Sequence, residues 1–361
     1  MDVSMLTLLG KTSALMEHLG FLWVVQTGLE LNLWTELESE TGLEDLMVLH
    51  PNWDKVLLDH WLEQAYCQDL LTKNNDRFRV TKLGKAINKY SNSGLKALYK
   101  ELVEHWSVGF AELPQLMTNE KEKLTLGSAM EEELISKASL ASEPFVWPFL
   151  HNKCQREKWQ RVLDIGCGEG LYLNKLASEF TQLHGVGLEI NPIVAWRAQE
   201  SVKEFGGRIQ IICEDILSLG EHQNSLPGEI NPPRAGDRQL KEFGTFDLCL
   251  LNNSIYYFTL EQRIQLLERI KRLLAPGGQV GILTAVRKGE PIRFFRTHVP
   301  QNLMSFFLAC HQGFQGLPTE QEVIFLLQQT NFRDVNVSVM PLGTSHYFFA
   351  KSPYQCLETS G

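Results

Sequence analysis

The stretch Val162-Leu163-Asp164-Ile165-Gly166-Cys167-Gly168-Glu169-Gly170 constrains this chain more than any other. An apolar run ends in an acid, glycines follow at alternate positions, and a helical pattern starts at Leu171. That order spells a buried strand, a tight turn and a helix. Glycine lacks a Cβ, so such a turn can take positive φ and press its backbone against a ligand. A Gly-rich turn after the first strand of an α/β sheet is the usual seat of a nucleotide-like molecule.

Spacing narrows the ligand. The dinucleotide fingerprint is G-x-G-x-x-G, whereas this turn reads G-x-G-x-G with Leu171 at the place of the third glycine. No Lys-Ser or Lys-Thr follows, so it is not a P-loop. Asp164 would repel phosphate and suits a positive group, such as an amino acid's ammonium. Val186-Gly187-Leu188-Glu189 reads as a second buried strand ending in an acid. Glu189 lies roughly 20 residues beyond the turn, where a carboxylate accepts hydrogen bonds from ribose hydroxyls. The two acids together describe a ligand with adenosine at one end and an amino acid at the other.

Further motifs follow in order. They are Ile212-Cys213-Glu214-Asp215-Ile216, then Phe246-Asp247-Leu248-Cys249-Leu250-Leu251-Asn252-Asn253, then Leu273-Leu274-Ala275-Pro276-Gly277-Gly278-Gln279-Val280. With V-L-D-I-G-C-G-E-G and G-L-E-I, they make residues 158–290 resemble a class I S-adenosylmethionine (SAM)-dependent methyltransferase. The resemblance implies an α/β fold with a Rossmann-like sheet and SAM as cofactor. It implies cofactor contacts from Asp164, Gly166, Cys167, Gly168 and Gly170, and from Glu189 and Ile190. Asp215 would face the adenine amino group and Ile216 its ring, and Asn252 would touch the methionine part.

The N-terminal region reads as a separate unit, 1–90. An amphipathic pattern covers Thr27 to Trp34, and Val56, Leu57, Trp61, Leu62 and Ala65 fall at helical spacing between Asp54 and Gln68. Leu70-Leu71-Thr72 and Phe78-Arg79-Val80 flank a polar Asn/Asp turn, the pattern of a hairpin. Helices followed by a hairpin spell a winged helix. The arrangement, with Arg77 to Gly84 at its end, resembles the N-terminal dimerisation domain of many small-molecule O-methyltransferases and implies a homodimer. DNA binding is disfavoured: the would-be recognition helix carries Asp54, Asp59, Glu63 and Asp69 against Lys55. The expected organisation is therefore a mostly helical winged-helix domain (1–90), a helical connector over the active site (91–155) and a catalytic domain (156–361). The polar, Pro- and Gly-containing segment 221–244 reads as a flexible insertion. Val335 to Met340 and His346 to Ala350 alternate like a closing antiparallel hairpin.

Composition sets the outer bounds. In 361 residues the net charge is -9, which disfavours a nucleic-acid partner. The 7 cysteines form no C-x-x-C pair, which favours reduced thiols and a cytoplasmic setting. The start is a poor signal peptide, and the apolar segment Phe21 to Trp34 is too short and polar to span a membrane. The histidines lack metal-ligand spacing, so no metal is expected.

Methyl transfer from a sulfonium is an in-line displacement whose leaving thioether needs no acid, so the protein mainly places the nucleophile. A hydroxyl acceptor also has to lose a proton. The O-methyltransferases this chain resembles place a histidine just after the fourth strand, where this sequence has Asn252-Asn253-Ser254-Ile255-Tyr256-Tyr257-Phe258. Two explanations stand. The acceptor is a thioether or an amine and needs no base, or a base comes from elsewhere: His298, His311 or His105, with Tyr256 and Tyr257 as weaker candidates. Tyr256, Tyr257 and Trp147 are candidate acceptor contacts, Trp147 because Pro144 and Pro148 predict a turn around it. Arg293 and Arg296 would hold an acceptor carboxylate. A small acid carrying a thioether satisfies both clues, as in the S-methyltransferases of dimethylsulfoniopropionate synthesis. A catalytically silent SAM-binding scaffold is the reading from another class.

Overall fold

The computed structural model describes residues 3–91, 95–124, 143–219, 240, 243–287, 299–340 and 345–353. The insertion expected at 221–244 lies outside them except at Leu240, Phe243 and Gly244. The chain divides into two compact units, Met1–Pro114 with Glu133–Pro144, and Gln115–Glu132 with Phe145–Gly361. The expected connector, 91–155, is thus shared between them.

In the first unit, helices α1 (Val3–Glu30), α2 (Leu33–Glu36), α3 (Leu43–Leu49) and α4 (Lys55–Cys67) precede α5 (Lys82–Tyr90), with three short strands among them. Strands β1 (Thr41–Gly42), β2 (Leu71–Asn74) and β3 (Arg77–Val80) form an antiparallel sheet in the order β1-β3-β2. The β2–β3 turn is Asn75-Asp76, both at positive φ, as a two-residue hairpin turn requires. Trp34 is buried and donates its indole N–H to the Val25 carbonyl at 3.3 Å. Its ring lies where a Cβ on Gly28 would come within 2.5 Å, so close packing there needs glycine. Further on, α6 (Lys96–Glu101) runs through a π-helical turn, Leu102–Trp106, into α7 (Ser107–Ala111), and α8 (Leu113–Met117) follows.

The inward face of α4 differs from the sequence expectation. Leu58, Leu62 and Ala65 are buried, one above another at i, i+4 and i+7, with Trp61 packed beside them. Val56 and Leu57 point to the opposite side and are exposed.

The second unit holds a sheet of seven strands: β4 (Arg161–Ile165), β5 (His184–Glu189), β6 (Ile209–Cys213), β7 (Phe246–Asn252), β8 (Leu274–Ala285), β9 (Arg333–Val339) and β10 (Ser345–Lys351). Their order is β6-β5-β4-β7-β8-β10-β9. The first five in that order are parallel, and β10 runs antiparallel to both neighbours. Chain order reverses at β4, which has β5 on one side and β7 on the other, and such a switch point opens a crevice at the carboxyl ends of the strands.

Alternation along the strands sends side chains to two cores. Leu163, Ile165, Val186, Leu251 and Ile282 face α12 (Leu260–Leu273) and α14 (Glu320–Gln329). Val162, Leu248, Leu250, Leu283 and Tyr347 face α9 (Glu143–Glu157), α10 (Leu171–Glu179) and α11 (Pro192–Ser201). Helix α13 (Val299–Ala309) follows β8. Glycine at 281 makes room for the Phe349 ring, which would stand 2.9 Å from a Cβ there.

Asp54 caps α4, accepting from the Val56 and Leu57 amides at 2.9 and 3.0 Å. We expect Asp54→Ala to lower stability by about 1 kcal/mol, read as a shifted denaturation midpoint with an unchanged slope.

Candidate active site

The turn after β4 is shaped by its glycines. Gly166, Gly168 and Gly170 have φ of 68°, 55° and 79°, a region that residues with a Cβ adopt only under strain. The Gly166 and Cys167 amides both donate to the Leu188 carbonyl, at 2.8 and 3.0 Å, which ties the turn to the end of β5. Gly170 opens α10, and a Cβ on it would stand 3.3 Å from Ser201 Oγ.

Glu189, at the end of β5, works as a clamp. One carboxylate oxygen accepts from the Gly168 amide at 3.0 Å, and the other from the Asn191 amide at 3.0 Å. Each oxygen keeps a lone pair for a further donor. Ile190 beside it is 67% exposed.

Asp164 is the opposite case. It is 1% exposed, and neither carboxylate oxygen has a hydrogen-bond partner. Burial, reinforced by the charge of Glu189, pushes its pKa up to about 8. Further polar groups by this turn are also without partners. The Ser254 hydroxyl is buried without a partner and lies where a Cβ on Gly166 would come within 3.5 Å. The Asn252 amide, at the end of β7, is also buried.

Asp164 and Asn252 lie on the same face of the sheet, β4 and β7 pairing so that Asp164 stands opposite Leu250. Buried polar groups are normally partnered. These suit a ligand end that brings both a cation and hydrogen-bonding atoms, which is what the amino-acid end of SAM carries. The residues present therefore fit that cofactor: Asp164 for its ammonium, the turn amides for close approach, and Glu189 for sugar hydroxyls.

Asp215 stands beyond β6, where its carboxylate accepts from the Leu217 amide at 2.9 Å. Ile216 is 4% exposed and packs into the α12/α14 core. Cys167 is buried on the other core, and its thiol is held well above its usual pKa by burial.

The acceptor candidates scatter. Tyr256 is buried in an apolar cluster with Ala285, Leu308 and Leu317, and Tyr257 packs beside it, ring centroids 4.8 Å apart. His311 is 1% exposed, with Nδ1 3.1 Å from the Phe307 carbonyl and its ring edge-on to Phe307. His105 is buried in the π-helical turn of the first unit. His298, Arg293 and Arg296 lie outside the described residues.

Trp147 is not in a turn, contrary to the sequence expectation. It lies inside α9, which continues through Pro148. Pro148 falls in the second turn of the helix, so the amide it lacks would have met only the Pro144 carbonyl. Trp147 packs against the core, with Lys175 Nζ 5.3 Å from its ring centre. A polar residue of the pocket that sequence reasoning missed is Tyr347, on β10. Among the described residues no group of three or more His, Cys, Asp and Glu is placed to hold a metal, and no helix is long and apolar enough to cross a membrane.

With this geometry in view, residues 163–280 match the family described as "Methyltransferase domain". A 153-residue stretch is 30% identical to the tRNA1(Val) (adenine(37)-N6)-methyltransferase of Porphyromonas gingivalis, covering 38% of this chain and 54% of that protein. The chain thus spans about half the length of that curated relative. Whole-chain likeness comes from solved structures. An O-methyltransferase family protein from Burkholderia thailandensis superposes with a TM-score of 0.71 at 15% identity, covering 98% of this chain and 99% of that one. Human N-acetylserotonin methyltransferase in complex with SAM gives 0.70 at 16%, again covering 98% and 99%. The fold is that of a class I methyltransferase with an N-terminal helical domain. Residues 163–280 carry the likeness to a methyltransferase domain, and the whole chain shares its fold with these structures.

We expect the ligand-free protein to lose stability as pH rises from about 4 to about 8. The folded state holds the Asp164 proton more tightly than the unfolded chain, so this contribution is complete below the ordinary carboxylate pKa and fades through the raised one. Denaturation of Asp164→Asn across that range should give a flatter profile than the wild type. Parallel profiles would remove Asp164 as the source.

Proposed function

We propose that the chain transfers the methyl group of SAM to a small-molecule acceptor. The observation that carries this reading is the orphaned Asp164 carboxylate beneath a turn of positive-φ glycines that Glu189 clamps. When bound, SAM supplies an activated methyl group that leaves a neutral thioether. In this reading Asp164 gives up its proton to meet the ammonium group, Glu189 accepts from the ribose, Asp215 meets the adenine amino group, and Asn252 orients the methionine end. The net charge of -9 favours a small acceptor over the tRNA named for the P. gingivalis relative.

For the acceptor atom we favour a thioether or an amine. The turn after β7 carries no histidine, and the His311 ring is engaged with Phe307. An acceptor that is nucleophilic without deprotonation fits those residues. The second reading, oxygen methylation with a base from another segment, is supported by the fold shared with the B. thailandensis O-methyltransferase family protein. We place Arg293 and Arg296 as contacts for an acceptor carboxylate, which would make the substrate a small acid.

Purified protein incubated with methyl-labelled SAM and separate thioether, amine and phenol pools should label one pool. Tight SAM binding with no labelled product from any pool would favour the silent scaffold. Glu189→Ala should weaken SAM binding by about 10- to 100-fold in titration calorimetry, because sugar hydroxyls lose a buried acceptor and the turn loses its clamp.

We also assign α1 to self-association. Val3, Met5, Leu6, Leu8, Leu9, Leu15 and Met16 are all about half exposed or more. Apolar side chains exposed over this length of helix favour burial against a second copy. Light scattering should give twice the chain mass, and Leu6→Glu with Leu9→Glu should give a monomer. A wild-type monomer at micromolar concentration would rule the assignment out.

A further inference from the structure

Tyr347 sits in the middle of β10, far in sequence from every cofactor motif, and is completely buried. Register brings it to the pocket. Tyr347 pairs with Leu283 on β8, and Leu283 pairs with Asn252 on β7, so the three form one row across the sheet. Leu283 and Tyr347 lie in the α9/α10/α11 core, and Asn252 shares their row at the carboxyl end of β7. Its surroundings are otherwise aromatic: Phe349 with ring centroids 4.6 Å away and Phe149 at 5.6 Å. Phenylalanine would fill that space equally well, so packing does not account for the hydroxyl.

The hydroxyl finds polar company at one place. Its pKa is driven well up by burial and by the charges of Tyr172 and Asp164, and the adjacent Asn252 amide opposes the shift. Tyr347 and Asn252 approach one another without closing a hydrogen bond of full geometry. A buried phenol is a donor that needs an acceptor. A buried amide has two ends and takes the orientation its neighbours dictate.

We propose that Tyr347 is a positioning residue for the amino-acid end of the cofactor: when that end enters, the hydroxyl closes onto the Asn252 amide, its neighbour in the same row of the sheet, and holds it in the orientation that receives the ligand. The proposal rests on the reading of Asn252 as a contact to the methionine part of SAM. It makes the closing hairpin, and not only the parallel strands, part of the cofactor site.

The test compares two ligands. S-Adenosylhomocysteine carries the amino-acid end, whereas 5′-methylthioadenosine has the adenosine and thioether without it. Tyr347→Phe retains the ring and its packing. Calorimetric titration should show S-adenosylhomocysteine bound about tenfold more weakly by Tyr347→Phe, with 5′-methylthioadenosine unchanged. If the hydroxyl acts through the amide, Tyr347→Phe combined with Asn252→Ala should bind S-adenosylhomocysteine no more weakly than Asn252→Ala alone. Equal weakening of both ligands, no weakening of either, or losses that multiply in the double variant would each overturn the proposal. A wild-type protein that binds neither ligand would overturn the cofactor reading itself, and the proposal with it.

Discussion

The site depends on the way the turn after β4 is moored to the end of β5. Gly166 and Cys167 both donate to the Leu188 carbonyl, and the next residue, Glu189, reaches back to the Gly168 amide. The same carboxylate holds the Asn191 amide at the start of α11. One strand end thereby sets the path of the glycine turn and the entry of a second helix. Positive φ at three alternate glycines is the condition for that path, and the space around Gly170, bounded by Ser201, Val202 and Ala198, leaves little room for a side chain. The crevice follows from the topology, because strand order reverses at β4, with α10 and α11 on one face of the sheet and α12 and α14 on the other.

Electrostatics then selects what the crevice accepts. Two carboxylates stand near one another, a buried Asp164 and a half-buried Glu189, and of the two only Glu189 has amide donors. Asp164 has none, and the cheaper state for it is the neutral one near physiological pH. A cationic ligand reverses that balance by supplying the missing counter-charge, and an anionic ligand worsens it. The exclusion of phosphate inferred from sequence and the raised pKa of Asp164 are two expressions of one cause.

Residues whose roles are set by near neighbours in the chain were legible in advance. The β4 turn, the acid ending β5 and the hairpins around Asn75-Asp76 and before β10 all declare themselves within a window of about ten residues. Residues placed by distant partners were not. Val56 and Leu57 match a helical stripe as well as Leu58 does, and only the packing of α4 against the rest of its unit decides which face turns inward. Two prolines around Trp147 suggest a turn, but Pro148 falls where a helix loses only one bond, so α9 runs through it. Tyr347 carries no signal at all in its own segment, Ser345 to Lys351, which reads simply as an apolar strand.

By itself, then, the sequence determined the kind of sheet, the position of its ligand turn and the charge of the group that turn prefers, because strand, glycine and acid act on one another across a few bonds. Only the tertiary structure decided that Asp164 is left without a partner, that Tyr256 and His311 are taken up by packing, and that a tyrosine from the final hairpin shares a row with Asn252. Each strand's alternation fixes which residues face the same way along that strand. Which strands lie side by side, and in what register, is set by the packing of the whole sheet, and until it is set no two distant residues can be said to share a face.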